Sequence, residues 1–339
     1  MKRSLIYVTL FQTSVKTESI RRKRLDLSFE KNVIEYKQNQ ESRKEELSMR
    51  EALLYQKLES RKVQCAVCNH RCIISEGNRG ICGVRENQQG LLHALNYGLT
   101  VSAAIDPIEK KPLYHFLPGT RIYSFAAVGC NLRCSWCQNW QISQSPKPNR
   151  PVVGSEVSPK EHVDRALKYR CPSIAYTYSE PTVFLEYALD TMKLAREKGL
   201  KNVWVTNGYM SPETLQLIIP FLDAANVDYK GPREGVYEKY CGATAEPILD
   251  NLKTLHEAGV HLEITTLIVP GVNDKPEQLE EIAQTLVLKL GPDVPWHISR
   301  FFPAWKMPDT PITPLATLEL GKTIGQKAGM KYIHIGNVH

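Results

Sequence analysis

Three cysteines, Cys130, Cys134 and Cys137, stand at x3 and x2 spacing in Gly129-Cys130-Asn131-Leu132-Arg133-Cys134-Ser135-Trp136-Cys137, directly after an apolar run at 123–128. Thiolates bind soft metals, and three sulfurs on one short loop can ligate three irons of a cubane while leaving the fourth iron without a protein ligand. In metal enzymes an unfilled coordination position is where substrate or cofactor binds. A zinc site of the usual kind pairs two Cys-x2-Cys units and needs a fourth ligand nearby, which residues 138–160 do not offer. A redox Cys-x2-Cys would leave Cys130 without a role. The spacing therefore predicts an iron–sulfur loop.

A second group, Cys65-x2-Cys68-x3-Cys72-x9-Cys82, encloses His70 and is punctuated by Gly77, Gly80 and Gly83. Four thiols suffice for a closed, metal-stabilised knuckle in a segment too short to bury much of a core. Zinc and a second iron–sulfur cluster both suit thiolates, and four buried but unligated cysteines are the plain alternative. Cys171 and Cys241 fall outside both groups and read as packing residues or free thiols.

The elements that must position the first loop follow a βα rhythm. Strands are expected at 123–128, 173–178, 201–206, 225–229, 261–269, 296–301 and 331–335. Helices are expected at 182–198, 212–222, 247–258, 276–290 and 314–328, several opening on Pro and closing at Gly199, Gly259, Gly291 or Gly329. That alternation predicts a parallel sheet or a partial barrel, with the active site at the strand C-terminal ends. Strand-end residues then become informative: Ser179 and Glu180, Thr206 and Asn207, Asp228 and Lys230, and His297. Each also has a structural reading. Ser179 and Glu180 can cap the helix that follows Pro181, Asn207-Gly208 can be a turn, and His297 can be a satisfied buried histidine.

Before the loop, Met49 to Leu58 has helical spacing, residues 91–105 read as two short strands around Tyr97-Gly98, and the proline-bounded stretch 106–119 reads either as a loop near the catalytic mouth or as a linker. Residues 1–48 lack periodicity and are expected to be a disordered or non-native extension, with Met49 as the physiological start. The organisation expected is thus 1–48 extension, 49–118 helix, knuckle and hairpin, and 119–339 partial barrel. Residues 1–48 hold 11 Lys and Arg against 7 Asp and Glu, which leaves +3 of the net +7 for the remainder. The one dense basic run, Arg21-Arg22-Lys23-Arg24, has no interleaved aromatics, so it predicts a solvated tail and no nucleic-acid partner. No apolar stretch reaches the length of a membrane span, and nine clustered cysteines fit metal binding in a reducing, cytoplasmic compartment.

Cys-x3-Cys-x-aromatic-Cys, with Trp136 in the aromatic slot, resembles the cluster motif of the radical S-adenosylmethionine (SAM) superfamily. The likeness extends over Glu51 to Lys57, Cys65 to Arg85, Leu95 to Gly119, Gly129 to Gln144, Tyr176 to Thr182, Val205 to Tyr209, Asp228 to Gly231, Ile268 to Asp274 and His297 to Phe302. Over residues 49–339 the chain is similar to the radical SAM member of the AmmeMemoRadiSam protein set, a group close to the pyruvate formate-lyase activating enzymes. The Gly-Gly-Glu-Pro of the activating enzymes corresponds to Tyr178-Ser179-Glu180-Pro181, and their Asp before Thr-Asn-Gly is Val205 here. Relatives often continue into a C-terminal segment with another cysteine pair, so the resemblance implies that this piece is absent or truncated after Asn337-Val338-His339.

The resemblance implies an α/β fold, a partial TIM-like barrel with an N-terminal cysteine-rich knuckle. It implies a [4Fe-4S] cluster on Cys130, Cys134 and Cys137, with SAM contacted by Trp136, Ser179, Glu180, Thr206, Asn207, Asp228, Lys230 and His297. The activity implied is an oxidoreductase-like one: reductive cleavage of SAM to a 5'-deoxyadenosyl radical that removes hydrogen from a substrate, or alternatively activation of a glycyl-radical enzyme. Partners implied are an electron donor such as flavodoxin or ferredoxin, with Memo-like and AMMECR1-like proteins. A cysteine-knuckle binding protein without catalysis is the competing class, and it gives the strand-end residues no common purpose.

Overall fold

The computed structural model describes residues 50–146, 150–232 and 234–338. The extension expected at 1–48 and the start expected at Met49 lie outside the described residues. Eight strands form the main sheet: β1 Ser102–Pro107, β2 Arg121–Ala126, β3 Ser173–Tyr176, β4 Lys201–Thr206, β5 Ala224–Asp228, β6 His261–Ile268, β7 Trp296–Arg300 and β8 Ile333–Gly336. They lie side by side in chain order, all pairs parallel except β1 with β2. Parallel neighbours need crossover helices, which bury both faces of the sheet. Accordingly all four residues of β3 and five of six in β2 are buried. The helices that connect its strands are α1 Pro159–Lys168, α2 Leu185–Glu197, α3 Pro212–Ile218, α4 Glu246–Glu257, α5 Pro276–Leu290 and α6 Leu315–Lys327. This is the partial (β/α) barrel expected from the sequence.

Helix α1 went unrecognised in the sequence although its signal was present. Ser158 accepts from the backbone of Glu161 while the Glu161 carboxylate accepts from Ser158 N–H, a capping box, and Pro159 occupies the first turn. The N-terminal segment differs from expectation more deeply. In place of a helix at 49–58 there are two short strands, Arg50–Glu51 and Tyr55–Lys57, pairing with Leu91–Ala94 and Val63–Cys65. Here the backbone finds partners across the chain, and tertiary pairing overrides local spacing. The strands around Tyr97-Gly98 also exist, but they form no hairpin. Leu91–Ala94 pairs with Arg85–Gln88, and Leu99–Thr100 with Ser155–Glu156. The main sheet begins at Ser102, ahead of the boundary expected at 119.

The knuckle docks on the loop after β4. Ser211 N–H donates to Val67 O at 3.1 Å, Asn69 Nδ2 to Met210 O at 2.6 Å, and Arg71 grips Glu213 through both nitrogens at 2.8 and 2.6 Å. Arg85 makes the same forked contact with Glu186 of α2 at 3.0 and 2.7 Å, both side chains buried. A buried carboxylate and guanidinium in that geometry fix one element against another, since each leaves the other uncompensated if removed.

The stretch 106–119 meets one of its two expected roles in part, since Lys110, Lys111 and Pro112 line the cavity described below. The rest of it folds under the sheet, against the first residues of the strands. Pro112 O accepts from Asn226 Nδ2 at 2.8 Å, and the backbone N–H groups of Tyr114 and His115 donate to Glu263 at 3.0 and 2.8 Å. Ile108 and Leu113 pack with Ile122, Ala175, Val203 and Ala224, so this segment corks the N-terminal end of the barrel.

Candidate active site

Above that floor a cavity of about 360 Å³ opens at the C-terminal ends of the strands, lined by Cys130, Cys134 and Cys137 together with Trp136, Ser179, Glu180, Thr206, Asn207, Asp228 and Lys230. Its volume falls in the range of small-molecule sites. The cysteine loop leaves β2 through Gly129, whose φ of +109° only glycine adopts without strain. A Cβ there would stand 2.9 Å from Val84 Cγ1 and 3.2 Å from Cys82 O, so the knuckle presses directly on the loop. Leu132 N–H donates to Cys130 Sγ at 3.3 Å and Asn207 Nδ2 approaches it at 3.7 Å. Such N–H···S contacts favour a thiolate.

Cys134 is the thiol held low. A hydrogen bond from Cys241 is the main cause, burial opposes it, and the Lys230 charge assists. Burial pushes the Cys130 and Cys137 thiols up. Trp136, buried, tilts against Tyr240 at 5.8 Å and walls the loop.

Glu180 is the most heavily bonded side chain in the site. Oε1 accepts from Thr182 N at 3.1 Å, Thr182 Oγ1 at 2.6 Å and Thr206 Oγ1 at 2.6 Å, and Oε2 accepts from Asn207 N at 2.8 Å. Burial raises its carboxyl above the usual range against the pull of these donors. The capping role anticipated for it is therefore real, and it ties the end of β3 to the end of β4. Oε2, with a single partner, keeps acceptor capacity toward the cavity. Ser179 Oγ donates to Ala127 O, which holds the hydroxyl against β2. Asn207 also bonds Asn131 Oδ1 at 2.7 Å, clamping β4 to the cysteine loop. Lys230 Nζ lies 2.8 Å from Asp228. Burial alone would lower the lysine, but Asp228 and the Cys134 and Cys241 thiols outweigh it and hold the ammonium cationic.

Tyr178 has φ of +64°. A bulky residue there is strained, since this left-handed region favours glycine. Its hydroxyl donates to Asp106 at 2.8 Å and accepts from Lys111 Nζ at 3.2 Å, while Lys111 also sits 4.4 Å from the ring centroid. Lys111 and Tyr178 both line the cavity.

The structure does not bring His297 into this site. It is the second residue of β7, its Nε2 lies 2.7 Å from Glu263, and Tyr114 meets it edge-on at 4.8 Å. Ser299, two residues on and on the same face, lines the cavity instead. Lys111 and Cys241 were not assigned roles from sequence. Lys111 reaches the cavity from the cork, and Cys241 reaches Cys134 from the turn of helix at Tyr237–Cys241. Both act through contacts between segments far apart in the chain, so no local pattern marks them.

The donor set suits an iron–sulfur cluster open at one corner: three thiols from one loop, N–H donors toward sulfur, a nearby cation, and free volume beside them. Comparisons with known proteins point the same way. The profile of the Radical SAM superfamily matches residues 126–286. The chain is 48% identical over 290 residues to an uncharacterized protein of Methanocaldococcus jannaschii, covering 86% of each. It is 26% identical over 175 residues to the pyruvate formate-lyase-activating enzyme of Clostridium pasteurianum, covering 50% of this chain and 70% of that one. Among solved structures, a radical SAM methyltransferase from Sphaerobacter thermophilus superposes with a TM-score of 0.50 at 15% identity, over 66% of this chain and 68% of that one.

Proposed function

Since the chain belongs to the radical SAM superfamily, an enzyme family whose cofactors are a [4Fe-4S] cluster and SAM, we propose that Cys130, Cys134 and Cys137 hold that cluster and that the adjoining cavity holds SAM. One observation carries the assignment: the three thiols and the strand-end polar groups line one cavity although they come from five separate segments of the chain. A cluster held there would supply the one electron that reductive cleavage of SAM to methionine and a 5'-deoxyadenosyl radical requires.

The chain's own residues supply the rest. Glu180 Oε2 would accept from the methionine amino group, and Lys230, held cationic by Asp228, would meet the carboxylate. Asn207 fixes the height of the cysteine loop through Asn131. Trp136 and Leu267 give the apolar wall. The cork at 106–119 keeps water from entering beneath. His297 takes no part at the reacting atoms, because it lies in the layer below.

The reaction proposed is hydrogen abstraction from a substrate reached through the mouth of the cavity, with electrons from a flavodoxin or ferredoxin. Memo-like and AMMECR1-like proteins are the proposed companions, in the cytoplasm. Among the described residues no helix is long and apolar enough to cross a membrane. A second reading, activation of a glycyl-radical enzyme, is favoured by the likeness of half the chain to a pyruvate formate-lyase-activating enzyme.

The test is reductive SAM cleavage by the anaerobically reconstituted protein, read as 5'-deoxyadenosine. Replacing any one of Cys130, Cys134 or Cys137 by Ala is expected to abolish the product, and a triple-alanine variant that still forms it overturns the assignment.

A further inference from the structure

Cys241 has no part in the chemistry proposed above, yet the turn that carries it is built against the cysteine loop. Residues Tyr237–Cys241 form one wide helical turn in which Gly242 N–H reaches back to Tyr237 O, and Gly242, at φ of +70°, ends it. Single wide turns of this kind are frequent at functional sites. A helix end leaves its last carbonyls without intrahelical donors. Two of them are taken here by the cysteine loop: Arg133 N–H donates to Cys241 O at 2.8 Å, and Ser135 N–H donates to Tyr240 O at 3.0 Å. Those two donors stand on either side of Cys134 in the chain, so the turn fixes the backbone of that one ligand. Lys306 N–H donates to Ser135 O at 3.1 Å and completes the clamp.

The side chains of the turn repeat the pattern. Tyr240 tilts against Trp136 at 5.8 Å, and the Tyr237 hydroxyl accepts from Lys230 N–H at 2.8 Å. The Cys241 thiol, fully buried, is hydrogen-bonded to Cys134. The direction of that bond follows from chemistry. A thiolate that ligates iron has no proton to give, so with iron on Cys134 the proton stays on Cys241 and its S–H donates to the ligand sulfur. Reduction of an iron–sulfur cluster adds negative charge to its sulfurs, and a donor aimed at one of them stabilises that charge, which raises the reduction potential. Cys130 receives its donors from Leu132 N–H and Asn207 Nδ2, close to the loop or on the next strand end, whereas Cys134 receives one from a segment far along the chain.

Resting on the cluster assignment made above, we infer that Cys241 is a positioning residue: the turn Tyr237–Cys241 holds Cys134 in place, and the Cys241 S–H donates to the Cys134 sulfur and makes the cluster easier to reduce. Cys241 ligates nothing itself and does not line the cavity. Because the Tyr237 hydroxyl holds the backbone of Lys230, one turn sets both a cluster ligand and the cation beside it.

The experiment is a redox titration of the anaerobically reconstituted full-length protein, following the paramagnetic signal of the reduced cluster that SAM addition alters, which separates it from any metal held elsewhere. Cys241→Val keeps the volume and loses the donor; Cys241→Ser keeps a donor. At the midpoint potential of the unaltered protein, the reduced-to-oxidised ratio is expected to fall about three- to tenfold in the valine variant, the net worth of one hydrogen bond, and to stay within about twofold in the serine variant. A thiol that only fills space predicts the reverse, with valine tolerated and the buried serine hydroxyl disturbing the site. Equal potentials in the unaltered and valine proteins overturn the inference. Should the valine variant fail to take up iron, Cys241→Ala replaces it. Iron retained by serine and lost from both apolar variants upholds the donor role, and iron lost from all three alike overturns it. An unaltered protein with no SAM-responsive cluster overturns this inference together with the cluster assignment, whereas a SAM-responsive cluster whose potential the valine variant leaves unmoved overturns this inference alone.

Discussion

At the scale of single residues, Tyr178 shows how the cavity is held in shape. Its left-handed backbone costs about 1–2 kcal/mol for a residue with a Cβ, and the hydroxyl's two bonds to Asp106 and Lys111 offset that cost. Tyr178→Phe keeps the strain and removes both bonds. It is expected to lower stability by about 1–2 kcal/mol in a denaturant titration, whereas an unchanged midpoint would show that the ring alone holds the backbone. That Cys130, Cys134 and Cys137 would share one site was legible from their x3 and x2 spacing on one loop. Tyr178's conformation was not, since a tyrosine advertises nothing about φ; only the correspondence with a family glycine hinted at it. His297 was misplaced for a different reason. Period-two alternation says which face of a sheet a side chain takes, and it says nothing about how deep along the barrel axis that residue lies.

At the scale of elements, the contact between the knuckle and the loop after β2 has little tolerance. Gly129→Ala would place a methyl 2.9 Å from Val84 Cγ1 and 3.2 Å from the Cys82 carbonyl, at a φ that alanine avoids. The expected loss is about 1–3 kcal/mol of stability, with slower iron uptake by the loop; a variant with unchanged melting and iron content would show that the two segments slide freely. The helices and parallel strands were readable because Pro opens and Gly closes them in the local text. The short N-terminal strands were not, because each two- or three-residue strand is stabilised by a partner tens of residues away, as Arg50–Glu51 is by Leu91–Ala94. Helical spacing at 49–58 was present in the sequence, yet Ala52, Leu54 and Tyr55 reach the core from and between paired strands instead.

At the scale of the whole molecule, the layer beneath the cavity makes the fold sensitive to acid. Burial would raise the Glu263 carboxyl, but hydrogen bonds from His261 and His297 and from the backbone of Tyr114 and His115 outweigh it and hold it at about 2. A carboxyl depressed in the folded state contributes stability above its unfolded value near 4.5, and that contribution, about 3 kcal/mol, is lost as pH falls toward 2. Unfolding free energy should therefore fall between pH 4.5 and 2, and Glu263→Gln should flatten that slope; an equal slope in both proteins would assign the acid sensitivity elsewhere. The same layer joins the cork to β6, β7 and β8, through Glu263, His297 and the 2.9 Å contact of His115 with His334. A vessel stoppered at the bottom is filled and emptied through its neck. Under the proposed assignment, reactants that share one neck would queue, with the cofactor seated against the cysteine loop entering before the molecule it attacks and departing after that molecule has gone. Steady-state kinetics should then be compulsory-order with SAM leading, and an inert analogue of the second reactant should inhibit uncompetitively when SAM is varied.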